Sequence, residues 1–363
     1  MAVFDVVFEG GGAKGSAFVG ALTALEAGHH ITRRLIGTSA GAITATLRAA
    51  GYSPAEMLAA VNEKVNGKPR FASFMDRPTG SSFTAEQKAN SSTMVALREV
   101  HIPLIADEAA LTLLLDSPLF PQLFSLVECG GFFAGDNFLV WLTQKLAAKG
   151  LAATDTLATF FYKTQSDLSV VTSDTTDMEM LVLNHRTAPD VPVAWAVRMS
   201  MSIPFVWREV VWQDAWGTYQ GRRKTGNIFV DGGVLSNFPV RLIAEPAPDI
   251  MGDTDPNGAL NLGLLLDETL AIPGTNPSLP PEPLEQLRVV QRISRLMDTM
   301  MGAQDNEEIR QRASEICRLP VKGYGTTEFN MSDDRLQALV DAGSNAVKAH
   351  LEARGLAGAA AAG

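Results

Sequence analysis

Cysteine is nearly absent from this chain: there are two in 363 residues, Cys129 and Cys317. Two isolated thiols offer neither metal-ligand spacing nor a disulfide framework, and they suit a reducing compartment. Histidine is scarce as well, at five, which leaves few candidates for imidazole chemistry. Basic charge is short, since 30 Lys and Arg against 40 Asp and Glu give a formal net charge of −10. That balance argues against a nucleic-acid partner and against broad coulombic adhesion to anionic membranes. No run of about 18 uncharged apolar residues occurs, so no transmembrane helix is expected. Residues 1–12 lack a basic segment and carry Asp5 and Glu9 within the apolar stretch, so no secretory signal peptide is expected either. The expected location is cytoplasmic; secretion by a route that needs no such signal stays open.

What is present is enough for a core. The chain is 46% apolar and only 19% charged, which excludes wholesale disorder. The apolar run at 3–8 predicts a buried strand. A glycine cluster and a helix over 16–27 follow, then a strand at 34–37 and a helix at 40–50. Strand, tight turn and helix, twice over, predict an α/β fold with a parallel sheet flanked by helices. Residues 54–65 read as a helix with Pro54 near its start. The polar stretch 66–92, with Pro69, Pro78 and Gly80, reads as a loop or mobile cap. Residues 104–149 read as mostly helical, interrupted at Pro118, Pro121 and Gly130–Gly131. Further strands are predicted at 168–173, 180–183, 228–230 and 260–266, and a helix at 195–202. Residues 273–283 read as a linker. Beyond it Val289, Ile293, Leu296, Met297 and Met300 recur at helical spacing. One domain over 1–350 is expected, with a disordered tail at 351–363.

Three motifs carry chemistry. Gly10, Gly12 and Gly15 satisfy G-x-G-x-x-G between a strand and a helix, as in a dinucleotide loop. The acidic residue such a loop needs at the end of the next strand is missing, because that strand ends in Gly37. Consecutive glycines equally let backbone amides converge on an oxyanion. Gly37-Thr38-Ser39-Ala40-Gly41 matches G-x-S-x-G at a strand-to-helix turn, the setting of a nucleophile elbow; the alternative is Ser39 as an ordinary helix N-cap. Asp231-Gly232-Gly233 ends a strand and reads either as a reactive carboxylate or as a plain turn. A serine nucleophile needs a base. The order Ser39, Asp231, His350 would fit a triad, but His350 lies in a helical segment with no motif around it, and only one convincing strand precedes Ser39.

Together, the glycine loop, the early G-x-S-x-G and the later Asp-Gly resemble the patatin-like phospholipases over most of residues 3–350. The family loop D-G-G-G-x-R-G stands here as Glu9-Gly10-Gly11-Gly12-Ala13-Lys14-Gly15, so Glu9 and Lys14 depart from the pattern. The segment 135–139 and the segment Arg198-Met199-Ser200-Met201-Ser202-Ile203-Pro204 are also similar to the family's; 325–329 and 341–343 fit more loosely. The resemblance implies a three-layer α/β/α fold with a mainly parallel sheet. It implies a Ser39–Asp231 dyad, an acyl-enzyme, and an oxyanion cradle from Gly10, Gly11, Gly12, Ala13 and Lys14, with Gly37 and Gly41 shaping the elbow. No metal or organic cofactor is implied. The expected partner is a phospholipid or other acyl-ester lipid at a membrane surface, and an oligomer or activating partner stays open. Phe71, Phe74 and Met75, and Phe120, Phe124, Phe132 and Phe133, would insert into a lipid boundary if exposed and belong to the core if buried, core being the favoured reading for the second group. A His-dependent carboxylesterase and a nucleotide-binding module remain the rival readings.

Overall fold

The computed structural model describes residues 1–100, 107–245, 247–252, 258–276 and 306–356, with single positions at 292, 295, 296 and 299. In chain order, β1 (Val3–Phe8) leads through a 3-10 turn (Gly12–Ser16) into α1 (Ala17–Ala27). Next come β2 (Ile31–Thr38), α2 (Ala40–Ala49) and α3 (Pro54–Val61). A helical insertion follows, called the cap below for brevity, built from the hairpin β3 (Lys64–Val65) and β4 (Lys68–Pro69), then α4 (Ala85–Ala89), α5 (Ser92–Val100), α6 (Asp107–Leu115) and α7 (Phe120–Cys129). The chain re-enters the body through β5 (Gly131–Phe133), α8 (Asp136–Ala148) and α9 (Leu157–Thr164). After β6 (Asp167–Asp174), β7 (Glu179–Leu183) and α10 (Val193–Ser200) come the short strands β8 (Phe205–Trp207), β9 (Val210–Val211), β10 (Thr218–Tyr219) and β11 (Arg222–Arg223). Then β12 (Ile228–Asp231), α11 (Arg241–Ala244), α12 (Pro248–Met251) and β13 (Leu260–Ala271) precede α13 (Asn306–Gln311), β14 (Ile316–Lys322) and α14 (Asp333–Ala353).

The central sheet has the order β14-β13-β1-β2-β6-β12-β9, with β7 paired to β6 as well. β14, β13, β1, β2 and β6 are mutually parallel; β7 and β12 each run antiparallel to β6, and β9 runs antiparallel to β12. Alternation along each strand feeds two cores. Val6 and Phe8 face a large one with α1, α2, α10 and α14, while Val7, Ile36 and Leu265 face a smaller one with Phe238 and Leu242 near α11. Burial on both faces explains why β1 and β13 read as continuous apolar runs. The exception, Asp5, is buried in β1 but takes a bidentate ion pair from Arg33 at 2.9 and 2.6 Å.

The fold class is as expected, a three-layer α/β/α arrangement about a mainly parallel sheet, with one layer much thinner than the other. Several local expectations change. The helix from Pro54 stops at Val61, and Lys64–Val65 turn into a hairpin. The stretch 66–92 carries short helices in place of a bare loop. Pro121 does not break α7 but sits in its first turn, where its missing N–H has no helical partner to lose. α14 runs to Ala353 with Leu351 buried, three residues into the expected tail. The amphipathic stripe at 289–300 lies outside the described residues apart from single positions.

Between lipid insertion and core burial the structure gives burial for these side chains, the reading favoured for Phe120, Phe124, Phe132 and Phe133. Phe74, Phe124, Phe132 and Phe133 are buried. Phe71 and Met75 pack against the main core, and Phe120 packs within the cap. Phe74 lies with ring centroids 5.4 Å from Phe138 and 5.3 Å from Trp141. Aromatic stacking of this kind adds to the apolar burial, and the polar residues around Phe74 in sequence conceal it.

Candidate active site

The sheet register brings Ser39 and Asp231 to one place. β7 occupies one edge of β6 along Val170–Asp174, so β2 and β12 share the other edge end to end. Thr38, the last residue of β2, lies opposite Val171; Asp231, the last of β12, lies opposite Thr172. The two strands run toward each other and the residues after them meet.

Ser39 has φ +53° and ψ −120°, a conformation that a non-glycine residue holds only when its surroundings impose it. Two contacts do so. Its N–H donates to Ser200 Oγ at 2.9 Å, and that hydroxyl donates to Val171 O at 2.6 Å. The turn is also packed too tightly for any side chain: a Cβ on Gly37 would lie 2.2 Å from Gly41 O, and one on Gly41 2.2 Å from Phe8 O. The Ser39 hydroxyl makes no capping bond to α2. It is therefore not tied up as an N-cap, and the N-terminus of α2 lies behind it.

Asp231 is 1% exposed. Its N–H donates to Ser202 O at 2.9 Å and its Oδ1 accepts from Gly233 N at 2.8 Å. Oδ2 is buried without a hydrogen-bond partner. Burial pushes the carboxyl up to about 7; the nearby Ser39 hydroxyl and the Gly233 amide pull the other way. The Ser39 hydroxyl thus acts on the carboxyl at short range while falling outside full hydrogen-bond geometry.

The glycine loop folds back over the elbow, and a Cβ on Gly10 would come within 3.2 Å of the Ser39 Cβ. Here the expected cradle narrows. The amide of Gly10 donates to Asn237 O at 3.0 Å, that of Ala13 to Thr326 O at 2.9 Å, and that of Lys14 to Gly11 O at 3.2 Å. Those three donors are engaged within the chain. No such bond engages the amide of Gly11 or Gly12 among the described residues, and Gly12 lines the same cavity as Ser39. Gly12 has φ +56°, and a Cβ there would stand 2.1 Å from Thr326 O. Lys14 turns its buried side chain to Glu268, away from the role its place in the motif implies. Glu9, the other departure, accepts from Asn237 Nδ2 and from the Leu266 amide, which pins the loop to β13.

Ser39 opens on a cavity of about 700 Å³, open solvent included. Beyond Ser39, Gly12 and Ser16 its walls are largely apolar, among them Ile43, Leu47, Met57, Phe74 and Trp207. Among the described residues, no histidine lines it. His350 lies on α14 with a buried, unpartnered Nε2; His185 stacks on Phe161, and His30 packs edge-on to Phe4. The His350 triad is thereby ruled out as an arrangement of this structure, and His101 lies outside the described residues. Sequence reasoning also missed Ser200, Asn237 and Asp76. Asp76 accepts from the amides of Gly135, Asp136 and Asn137 and so closes the N-terminus of α8 from within the cap.

The family model for patatin-like phospholipases matches residues 6–244. The chain belongs to the patatin-like phospholipase family. It is 29% identical over 357 residues to the uncharacterized protein YqhO of Bacillus subtilis (strain 168), covering 96% of this chain and 98% of that protein. Among solved structures it is similar to VipD from Legionella pneumophila, with 17% identity and a TM-score of 0.45 over 97% of this chain and 67% of VipD. It is also similar to ExoU in the ExoU–SpcU complex of the type III secretion system of Pseudomonas aeruginosa, with 20% identity and a TM-score of 0.40. That match covers 97% of this chain but 52% of the other, so this patatin-like chain spans about half the length of that relative. Among its described residues, no single helix is long and apolar enough to cross a membrane.

Proposed function

We propose that the protein is a lipid acyl hydrolase that cleaves fatty-acyl esters by a Ser39–Asp231 dyad and an acyl-enzyme. The observation that carries this reading is a buried carboxyl, its pKa raised to about 7, beside a serine held in a strained elbow at an apolar cavity. Free Asp, near 3.9, is too weak a base to help a serine hydroxyl at neutral pH. At about 7 the carboxylate is half-populated at neutral pH and well matched to general-base work. Ser39 Oγ attacks the ester carbonyl as its proton passes to Asp231. The oxyanion forms against the free amides of Gly11 and Gly12, and the proton then passes to the departing alcohol. Water, activated by the same carboxylate, attacks the acyl-enzyme, and the fatty acid leaves with Ser39 restored. The apolar walls take the acyl chain, and family membership favours a phospholipid as the ester.

Product analysis on phospholipid vesicles tests this. Wild type is expected to release free fatty acid, and Ser39→Ala and Asp231→Asn to release none above background while remaining folded. Full release by folded Ser39→Ala would overturn the reading.

A further inference from the structure

We infer that the outer face of α7, together with Phe205, docks the protein on a lipid bilayer by apolar insertion. The inference rests on the lipid-hydrolase reading for its purpose but on separate residues for its support. Along α7 and the turn before it, Leu119, Leu123 and Val127 recur at every fourth position and are 55%, 50% and 63% exposed. That spacing lines them up on one face. Residues 117–127 contain no charged side chain. Phe205 is 50% exposed, at a left-handed backbone position with φ +66°. Its N–H donates to Gly130 O at 3.1 Å, so it stands directly beyond the end of α7.

The opposite face of α7 is anchored. Phe124 is buried and packs edge-on against Phe83 with ring centroids 4.7 Å apart. Ser125 Oγ accepts from Arg208 Nε at 2.9 Å, and the Arg208 guanidinium lies 4.6 Å over Phe83. The exposed row is therefore displayed on a fixed platform.

Two observations commit the occupant to lipid. First, α6 from Glu108 and α7 together reach the length and apolar content of a membrane segment, yet they are bent by 113°. Bent so sharply, the pair is not one straight span, and its exposed apolar row is free to insert at an interface. Second, the platform is continuous with the cavity. Phe205 is in β8, whose Trp207 lines the space around Ser39, and Arg208 follows it. Docking through this face brings the cavity wall to the lipid surface. With a net charge of −10, attraction to anionic headgroups supplies little of the binding. Insertion of side chains supplies it, and the binding is expected to be insensitive to salt.

The test is co-sedimentation of the full chain with phosphatidylcholine vesicles at low and high salt, alongside hydrolysis of a water-soluble butyrate ester. Wild type and Ser39→Ala are expected to bind vesicles equally, with no loss at high salt. The triple variant Leu119→Ser, Leu123→Ser, Val127→Ser is expected to lose at least about tenfold in partitioning, while its turnover of the soluble ester stays within about twofold of wild type. Phe205→Ser alone is a second variant, expected to show a smaller loss of the same kind. Undiminished partitioning of both folded variants would overturn the inference. So would an apolar face that proves to join two copies of the chain, seen as a wild-type dimer that the triple variant abolishes with vesicle binding intact. If wild type binds vesicles through this face but hydrolyses no ester, the proposed function fails and the docking surface stands.

Discussion

Replacing Asp231 by Asn separates the carboxyl's effect on stability from its role in catalysis. In the folded protein the group sits at about 7, against an ordinary value of 3.8, because it is buried. Below about pH 4 both folded and unfolded chains hold the proton, and the group leaves stability untouched. Between about pH 4 and 7 the unfolded chain has lost its proton and the folded one has not, so each pH unit costs the native state about 1.4 kcal/mol. Above 7 the penalty is complete at about 4 kcal/mol. Asparagine keeps the shape and removes the titration. The advantage of Asp231→Asn over wild type in urea unfolding is therefore expected to grow by about 2.7 kcal/mol between pH 5 and pH 8. Any fixed effect of the amide against Ser39 cancels in that difference. In activity the sign reverses, because the ionised form is the base: wild-type kcat/KM is expected to rise up to tenfold per pH unit below about 7 and level off above it. Stability curves for wild type and Asp231→Asn that run parallel from pH 5 to 8 would refute the reasoning.

Further expectations follow from neighbouring contacts. Gly12→Ala puts a Cβ 2.1 Å from Thr326 O at a left-handed position; kcat is expected to fall about 10²-fold or more as the cradle is displaced, measured with a soluble ester on protein whose circular dichroism is unchanged. Ser200→Ala strips the acceptor from the Ser39 amide and the donor from Val171 O. It is expected to cost about 1–3 kcal/mol in urea unfolding and to slow acylation more than it raises KM. Asp76→Ala leaves three amides of α8 without an acceptor. A loss of about 1–2 kcal/mol is expected, with faster proteolysis in the cap than in the sheet.

Much of the site was legible because its parts are local. A glycine-flanked serine at a strand end and a carboxylate before two glycines each announce a turn. What brings them together is not local: β2 and β12 share one edge of β6, and no residue in either strand encodes that partner. The cradle was legible as a loop but not amide by amide, since Asn237 and Thr326, which engage Gly10 and Ala13, lie more than 200 residues away in the chain. Ser200 reads in sequence as one small residue among several in a helix end, and only the elbow's orphan N–H gives it a role. The cap was hardest to read. Its helices are short and owe their stability to packing, so propensity alone says little. Phe74 counts as core because Phe138 and Trp141 come to meet it. Glycine spacing carried more than turns, too. A Cβ at Gly20 would strike Val340 O, and one at Gly343 Ala17 O, so the loose match at 341–343 marks where α14 presses onto α1.

Activation of a Ser39 nucleophile by Asp231 is open to direct kinetic test. Its most direct measurement is the rate at which an active-site fluorophosphonate modifies the protein, with the adduct located by mass spectrometry. The expected result is a single adduct on Ser39, formed faster as pH rises through about 7 and slowed at least about 10²-fold in Asp231→Asn. An adduct on another residue, or Ser39 labelled at the wild-type rate in Asp231→Asn, would contradict it.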